Sequence, residues 1–178
     1  MGRRHDTDGK GRVVRDREVN GPPVVVEFRR APAELLQDAR MHLEAITREF
    51  QLIEFSDEEV ESPPARLLDV ISRLQANYDR LGFAGDRRFA LEAIERGEST
   101  VDFELPVPAE AGSAARLLIT LMEETDAWCE RGELLTLASP PDQRRMRRWF
   151  FGEIERQTAG GAPIPWDDFD EPSRIDPI

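Results

Sequence analysis

Two clusters in the chain combine residue types that carry out chemistry or recognition. The first is acidic: Glu123, Glu124, Asp126, Glu130 and Glu133. Carboxylates in such numbers can hold a hard cation or work as an acid and base pair. The calcium-loop spacing with its central glycine is absent, so a solvated helical face is the competing reading. The second cluster is Arg144-Arg145-Met146-Arg147-Arg148-Trp149-Phe150-Phe151. Cations in the first turns of a helix oppose its dipole by roughly a few tenths of a kcal/mol each, so something must compensate. Four guanidiniums beside three aromatics suit an acidic protein partner with Trp149 as anchor, pairing with the acidic helix that precedes them, or nucleic acid. Arg144 shares a face with Arg147 and Arg148, whereas Arg145 lies around the turn, so the four cannot all meet one internal carboxylate group. At least one pair is expected to face outward. The candidate partner-binding residues are Arg144, Arg145, Arg147, Arg148 and Trp149.

The remaining reactive side chains have plainer readings. The two histidines, His5 and His42, belong to no Glu-x-x-His or His-x-x-x-His spacing, so no metal site is expected. His42 precedes the apolar Leu43 and is expected at the edge of a buried face, partly exposed. Cys129 has Asp126, Glu130 and Glu133 nearby, which raise rather than lower a thiol pKa, and reads as a buried or half-buried structural thiol. Ser139 precedes two prolines and reads as a helix cap. Neither Gly-x-Gly-x-x-Gly nor Gly-x-x-x-x-Gly-Lys occurs, so nucleotide binding has no local support. No cofactor and no catalytic residue is assigned.

These groups sit in a chain of 178 residues with 24 basic and 36 acidic side chains, a formal net charge of -12. The acidic excess opposes general attraction to phosphate backbones or anionic lipid. Lys10 is the only lysine. The arginine bias therefore pervades the chain, as in a GC-rich genome, and scattered arginines carry little meaning. One cysteine, no secretory leader pattern and no apolar run near the ~20 residues of a membrane span make a cytoplasmic location the expectation.

Hydrophobic spacing supplies the elements. Residues 1–22 are polar and glycine-bearing and read as a disordered tail. Leu36, Ala39, Leu43, Ile46, Phe50 and Ile53 recur at intervals of three and four, predicting a helix over 33–53. The same criterion, with proline starts and glycine stops, predicts helices over 63–81, 86–96, 108–131 and 140–158. Val24 to Phe28 is β-branched, and Thr100 to Leu105 alternates apolar with polar; the two segments are either a two-stranded sheet or extended linkers. The expected fold is thus mainly α, one five-helix domain over 23–166 with at most a small sheet, followed by an acidic extended tail over 167–178. No repeat of the usual solenoid lengths is seen. The predicted core is Leu43, Ile46, Phe50, Leu67, Ile71, Leu74, Phe89, Leu118, Leu121, Trp128, Trp149 and Phe150.

Several phrases together carry a family resemblance: Arg48-Glu49-Phe50-Gln51-Leu52-Ile53, Pro64-Ala65-Arg66-Leu67-Leu68, Gly97-Glu98-Ser99-Thr100-Val101-Asp102, Leu134-Leu135-Thr136-Leu137-Ala138-Ser139-Pro140-Pro141, Arg148-Trp149-Phe150-Phe151-Gly152-Glu153-Ile154 and Ala162-Pro163-Ile164-Pro165-Trp166. Over residues 24–166 the chain resembles a group of actinobacterial helical proteins associated with anti-sigma and anti-sigma-antagonist partner-switching systems. The asparagine and glycine boxes of a histidine-kinase-like ATPase are missing, so neither kinase nor ATPase activity is carried over. The resemblance implies a regulatory association. Two functions follow: a non-enzymatic interaction or regulatory module with an acidic protein partner, or a small enzyme using the carboxylates of the fourth expected helix.

Overall fold

The computed structural model describes residues 22–54, 69 and 88–170. The expected helix over 63–81, with its core candidates Leu67, Ile71 and Leu74, and residues 1–21 of the expected 1–22 tail lie outside them. The described chain is mainly α, with one small sheet: β1 (Val24–Pro32), α1 (Ala33–Glu54), α2 (Phe89–Glu95), β2 (Thr100–Val107), α3 (Ala111–Glu130), α4 (Pro141–Thr158) and a 3-10 turn at Trp166–Asp168. The expectation of five helices is corrected to four α-helices among the described residues. The expected 86–96 helix is cut to seven residues.

The two extended segments pair antiparallel rather than lying apart as linkers, with Val26 opposite Leu105 and Phe28 opposite Phe103. Alternation explains why: Val101, Phe103, Leu105 and Val107 of β2 are buried, and the residues between them are turned outward. A bulge falls between Phe28 and Ala31, where Arg30 takes a positive φ of 55° and its amide donates to Asp102 Oδ1 at 2.7 Å. One extra residue there keeps Phe28 and Ala31 both on the buried face.

Helices cover that face. Phe28 stacks on Phe103 and Phe150, each at 4.6 Å between centroids, and meets the edge of Trp149 at 5.5 Å. Trp149 is fully buried and donates from Nε1 to the Ile164 carbonyl at 2.9 Å. That bond satisfies its one polar atom and draws the chain after α4 back across the helix. A second apolar cluster joins Ile46 and Phe50 of α1 to Leu118, Leu121 and Met122 of α3. Of the predicted core, Ile46, Phe50, Leu118, Leu121 and Trp149 are buried, while Leu43, Phe89, Trp128 and Phe150 are half-buried.

α3 and α4 run side by side so closely at one end that a Cβ on Gly112 would fall 3.3 Å from Glu155 Cα and nearer still to the Thr158 hydroxyl. In the same last turn of α4, Gln157 lays its amide along β1: the Glu27 amide donates to Gln157 Oε1, and Gln157 Nε2 donates to the Glu27 carbonyl, both at 2.8 Å. Gln157 is itself held by Glu153, a buried carboxylate that also accepts from the Ile164 amide and pairs with Arg156. Beyond the expected boundary at 166, Asp167 pairs with Arg30 at 2.9 Å, and Phe169 stacks on Trp166.

The two halves follow one plan. Each runs strand, Pro-Ala-Glu, helix, Ser-Pro-Pro, with Pro32-Ala33-Glu34 matching Pro108-Ala109-Glu110 and Ser62-Pro63-Pro64 matching Ser139-Pro140-Pro141. The strand register follows the same plan, because the pairs Val26 with Leu105 and Phe28 with Phe103 exchange about Glu27 opposite Glu104. Aligned on Pro-Ala-Glu, the buried Ile46 and Phe50 of α1 match the buried Met122 and Asp126 of α3.

Candidate ligand cavity

α4 begins without a capping side chain. Ser139, expected as its cap, does not serve as one: Pro140 holds the cap position without a side-chain cap bond, and within the first turn the Gln143 amide donates to Asp142 Oδ1 at 2.9 Å. Ser139 is instead a polar joint between α3 and α4. Its amide donates to Asp126 Oδ1 at 2.8 Å, its hydroxyl accepts from Arg147 at 3.1 Å, and its carbonyl accepts from Arg144 Nε at 2.8 Å. Asp126 also takes an ion pair from Arg147 and a longer one, at 3.4 Å, from Arg144.

This joint corrects the reading of Asp126 as part of a solvated face, since the residue is only 2% exposed. Burial alone would raise its pKa, but the Arg147 guanidinium and the Ser139 bonds hold the carboxyl below the usual carboxylate range. The anion that the dipole of α4 calls for is therefore Asp126, supplied by the neighbouring helix. The other acidic residues of the cluster stay nearer solvent: Glu123 pairs with Arg148 at 2.8 Å, Glu130 with Arg144 at 2.6 Å and Glu133 with Arg131 at 2.7 Å.

The expected outward pair of arginines is corrected by the same contacts. Arg144 and Arg147 turn onto Asp126, Arg148 onto Glu123, and Arg145 lies 4.3 Å over the Trp166 ring while donating to the Phe169 carbonyl at 2.7 Å. Trp149 is fully buried. Arg144 and Arg147 share Asp126, Arg144 also reaching Glu130, and the four cations are met by several internal acceptors, three of them on α3 and one on the chain after α4, rather than by a single carboxylate.

Beside the joint lies a cavity of about 440 Å³ between α1, α2, α3 and α4. Its body is apolar, with Leu36, Leu43, Leu118, Met122, Met146 and Phe150 among its lining. His42, Gln143 and Arg147 line it too. Each carries a buried polar atom with no hydrogen-bond partner among the described residues: His42 Nε2, Gln143 Oε1 and Arg147 Nε. Buried polar atoms are nearly always paired, and leaving one unpaired costs about 1–3 kcal/mol. Two of the three stand on α4 and one on α1, each shielded from solvent. His42 sits half-buried, as its place beside Leu43 predicts, and burial pushes its pKa down, so the ring is neutral at pH 7.

No family model, curated protein or solved structure matches the chain. No group of three or more His, Cys, Asp or Glu placed to hold a metal ion occurs among the described residues, and no helix there is long and apolar enough to cross a membrane. Cys129 is buried, and burial, with Asp126 and Glu49 nearby, pushes its thiol up, away from a nucleophile.

Sequence reasoning missed Gln143 and the role of Ser139. A Gln four residues before an Arg on a helix that starts at Ser-Pro-Pro is a visible spacing. Its meaning appears only when the wall opposite is known to be apolar.

Proposed function

We propose that the protein is a non-enzymatic regulatory module that binds a small, largely apolar molecule in the cavity between α1 and α4. The observation that carries this is the cavity itself, about 440 Å³ and largely apolar, with a few polar side chains, His42, Gln143 and Arg147, among its lining. The enzyme alternative draws no support from the carboxylates of α3: Asp126 is fixed as an ion by Arg147 and Ser139, and Glu123 and Glu130 are paired with arginines of α4. A regulator without catalysis is also what the resemblance to partner-switching proteins implies.

The methionines provide the test. Met122 and Met146 line the cavity, whereas Met41 on α1 does not. In protein labelled with 13C at the methionine methyls, titration with toluene is expected to shift Met122 and Met146 and leave Met41 in place. Equal movement of Met41, or no movement of the other two, overturns the proposal.

A protein-contact reading stands beside it on a different observation. Leu135 is 95% exposed and Leu137 82% exposed, on the loop between α3 and α4. Glu49 of α1 presents that loop, accepting from the Leu135 and Thr136 amides. Burial opposes ionisation of Glu49, yet these amides and the Thr136 hydroxyl hold its carboxyl below the usual range. A protein partner is thus better sought at this loop than at the arginines of α4. A photo-crosslinking residue at position 135 should trap one defined protein in cells; a yield no greater than that from position 91 on α2 would remove this reading.

A further inference from the structure

The two edges of the sheet are in different states. At β1, Gln157 takes both backbone groups of Glu27, so those groups point away from β2. Glu27 stands opposite Glu104 in the antiparallel pair. Residues directly opposite in such a pair either exchange both bonds or both turn away, so the Glu104 N–H and C=O face out of the sheet on the β2 side. Pro106 is opposite Val25 and shares this orientation. A proline there leaves the ladder to β1 whole, because its missing N–H would have pointed outward in any case. β2 runs unbroken from Thr100, so Thr100 and Asp102 present their backbone groups to the same side. No hydrogen bond to the backbone of Asp102 or Glu104 is formed on that side among the described residues, where the sheet has two strands.

Side chains beside the open edge select what fits it. On the outer face β2 shows Asp102 and Glu104, both exposed, and β1 shows Glu27 and Arg29. Three carboxylates thus share one guanidinium, which reaches Glu27 and, at 3.5 Å, Asp102. Glu104 lies directly across from Glu27, and like charges in that position destabilise a sheet. A cation brought alongside Glu104 relieves the repulsion. On the other face the margin is apolar: Val101 and Phe103 are the least covered of the inward residues of β2, each 9% exposed, and Phe89 of α2 stacks on Phe103 at 3.9 Å. An added strand alternates between these two faces, so the one that fits carries basic side chains at every second position and apolar ones between. A second copy of the chain does not meet this requirement, since β2 laid antiparallel on β2 over its whole edge sets Asp102 against Glu104.

We propose that the open edge of β2 is a docking site for an extended segment of a partner protein, alternating basic with apolar residues, which joins the sheet as a further strand beside Asp102 and Glu104. Main-chain bonds supply the affinity and the carboxylates supply the selectivity. Docking here needs neither a ligand in the cavity nor the Leu135 loop.

The probe is the end-blocked heptapeptide Thr-Arg-Val-Arg-Val-Arg-Thr, added to the 15N-labelled full chain, with hydrogen exchange read at the Glu104 amide. Exchange there is expected to slow at least about tenfold at saturation. The counterpart with glutamate in place of each arginine is expected to bind at least about tenfold more weakly, and Glu104→Arg, at an exposed position, should abolish that preference. Methylating the arginine amides should abolish binding of a strand that runs antiparallel to β2, and methylating the valine amides that of a parallel one. Indifference to both methylations, equal affinity of the two peptides, or a preference unchanged in Glu104→Arg overturns the proposal. So does a Glu104 amide already slow to exchange in the free chain, which assigns the edge to the chain itself if dilution leaves it slow and to a second copy if dilution frees it.

Discussion

The two halves of the molecule share a plan and close it by different means. In the first, the last turns of α1 carry Phe50, buried with Leu118, Leu121 and Met122 in an apolar cluster. At the matching place in the second, α3 presents Asp126, equally buried, to a serine amide and a guanidinium. Apolar contact resists separation but tolerates sliding, because dispersion and burial have no preferred direction. The Asp126 joint has direction: two oxygens receive specific donors, and the start of α4 is set to hydrogen-bond precision. That precision leaves Arg147 Nε and Gln143 Oε1 without a hydrogen-bond partner among the described residues.

The sharpest way to break the comparison is to remove the directional element. Asp126→Ala strands the Arg147 charge and the Ser139 amide, and is expected to cost about 3–5 kcal/mol in urea unfolding. Replacing the pair together, Asp126→Leu with Arg147→Met, should recover part of that loss, since a buried ion pair is weak evidence of net stability but a half-pair is expensive. If the double variant is no more stable than Asp126→Ala, the joint acts through Ser139 rather than through the ion pair. On the apolar side, Ile46→Ala and Leu121→Ala should each cost about 2–5 kcal/mol. Thermal midpoints equal to wild type for both would contradict the packing of that cluster.

Acid separates the two sides further. Burial holds the His42 pKa down, so its contribution is complete above the unfolded value of about 6.5 and declines as pH falls below it, the unfolded chain taking up the proton first. Asp126 is also held down, so its contribution is present above about 3.9 and is lost only as pH falls through its lower folded value. Stability measured from pH 8 to pH 2 should therefore fall in two stages, and His42→Gln should lack the upper one while keeping the lower. The smallest effect belongs to Glu123→Ala at the exposed Arg148 pair: about 0–1 kcal/mol, readable as a shift in thermal midpoint.

How much of this the chain discloses by itself depends on the kind of interaction. The stripes of α1 and α3 are periodic and apolar, and their spans were legible to within a few residues. The sheet was half legible: the alternation of Val101, Phe103 and Leu105 marks a strand, but nothing local selects a partner. α4 was placed correctly and its face was misread. Glu153 and Gln157 continue its stripe past Met146, Trp149 and Ile154, and as polar residues they do not register as buried. Their burial is paid for by partners far along the chain, the backbone of Glu27 and the amide of Ile164. The arginines were noticed for the right reason, a cation run against a dipole, but which carboxylate answers each one is fixed by how α3 lies beside α4. The cavity was invisible, because a void is a property of packing between four helices and has no residue of its own.

The rung that Gln157 adds to β1 has a consequence for how copies of this chain behave together. A two-stranded sheet has two open edges, and an open edge invites a strand from another molecule to continue the ladder toward aggregates. By holding both backbone groups of Glu27 with a side-chain amide, α4 occupies the middle of one edge with something that cannot itself be extended. An incoming strand would have to displace an amide that Glu153 holds in place. The bulge at Arg30 interrupts the run of regular pairing a few residues further on. Resistance to aggregation is thus built into the same helix whose other end shapes the cavity.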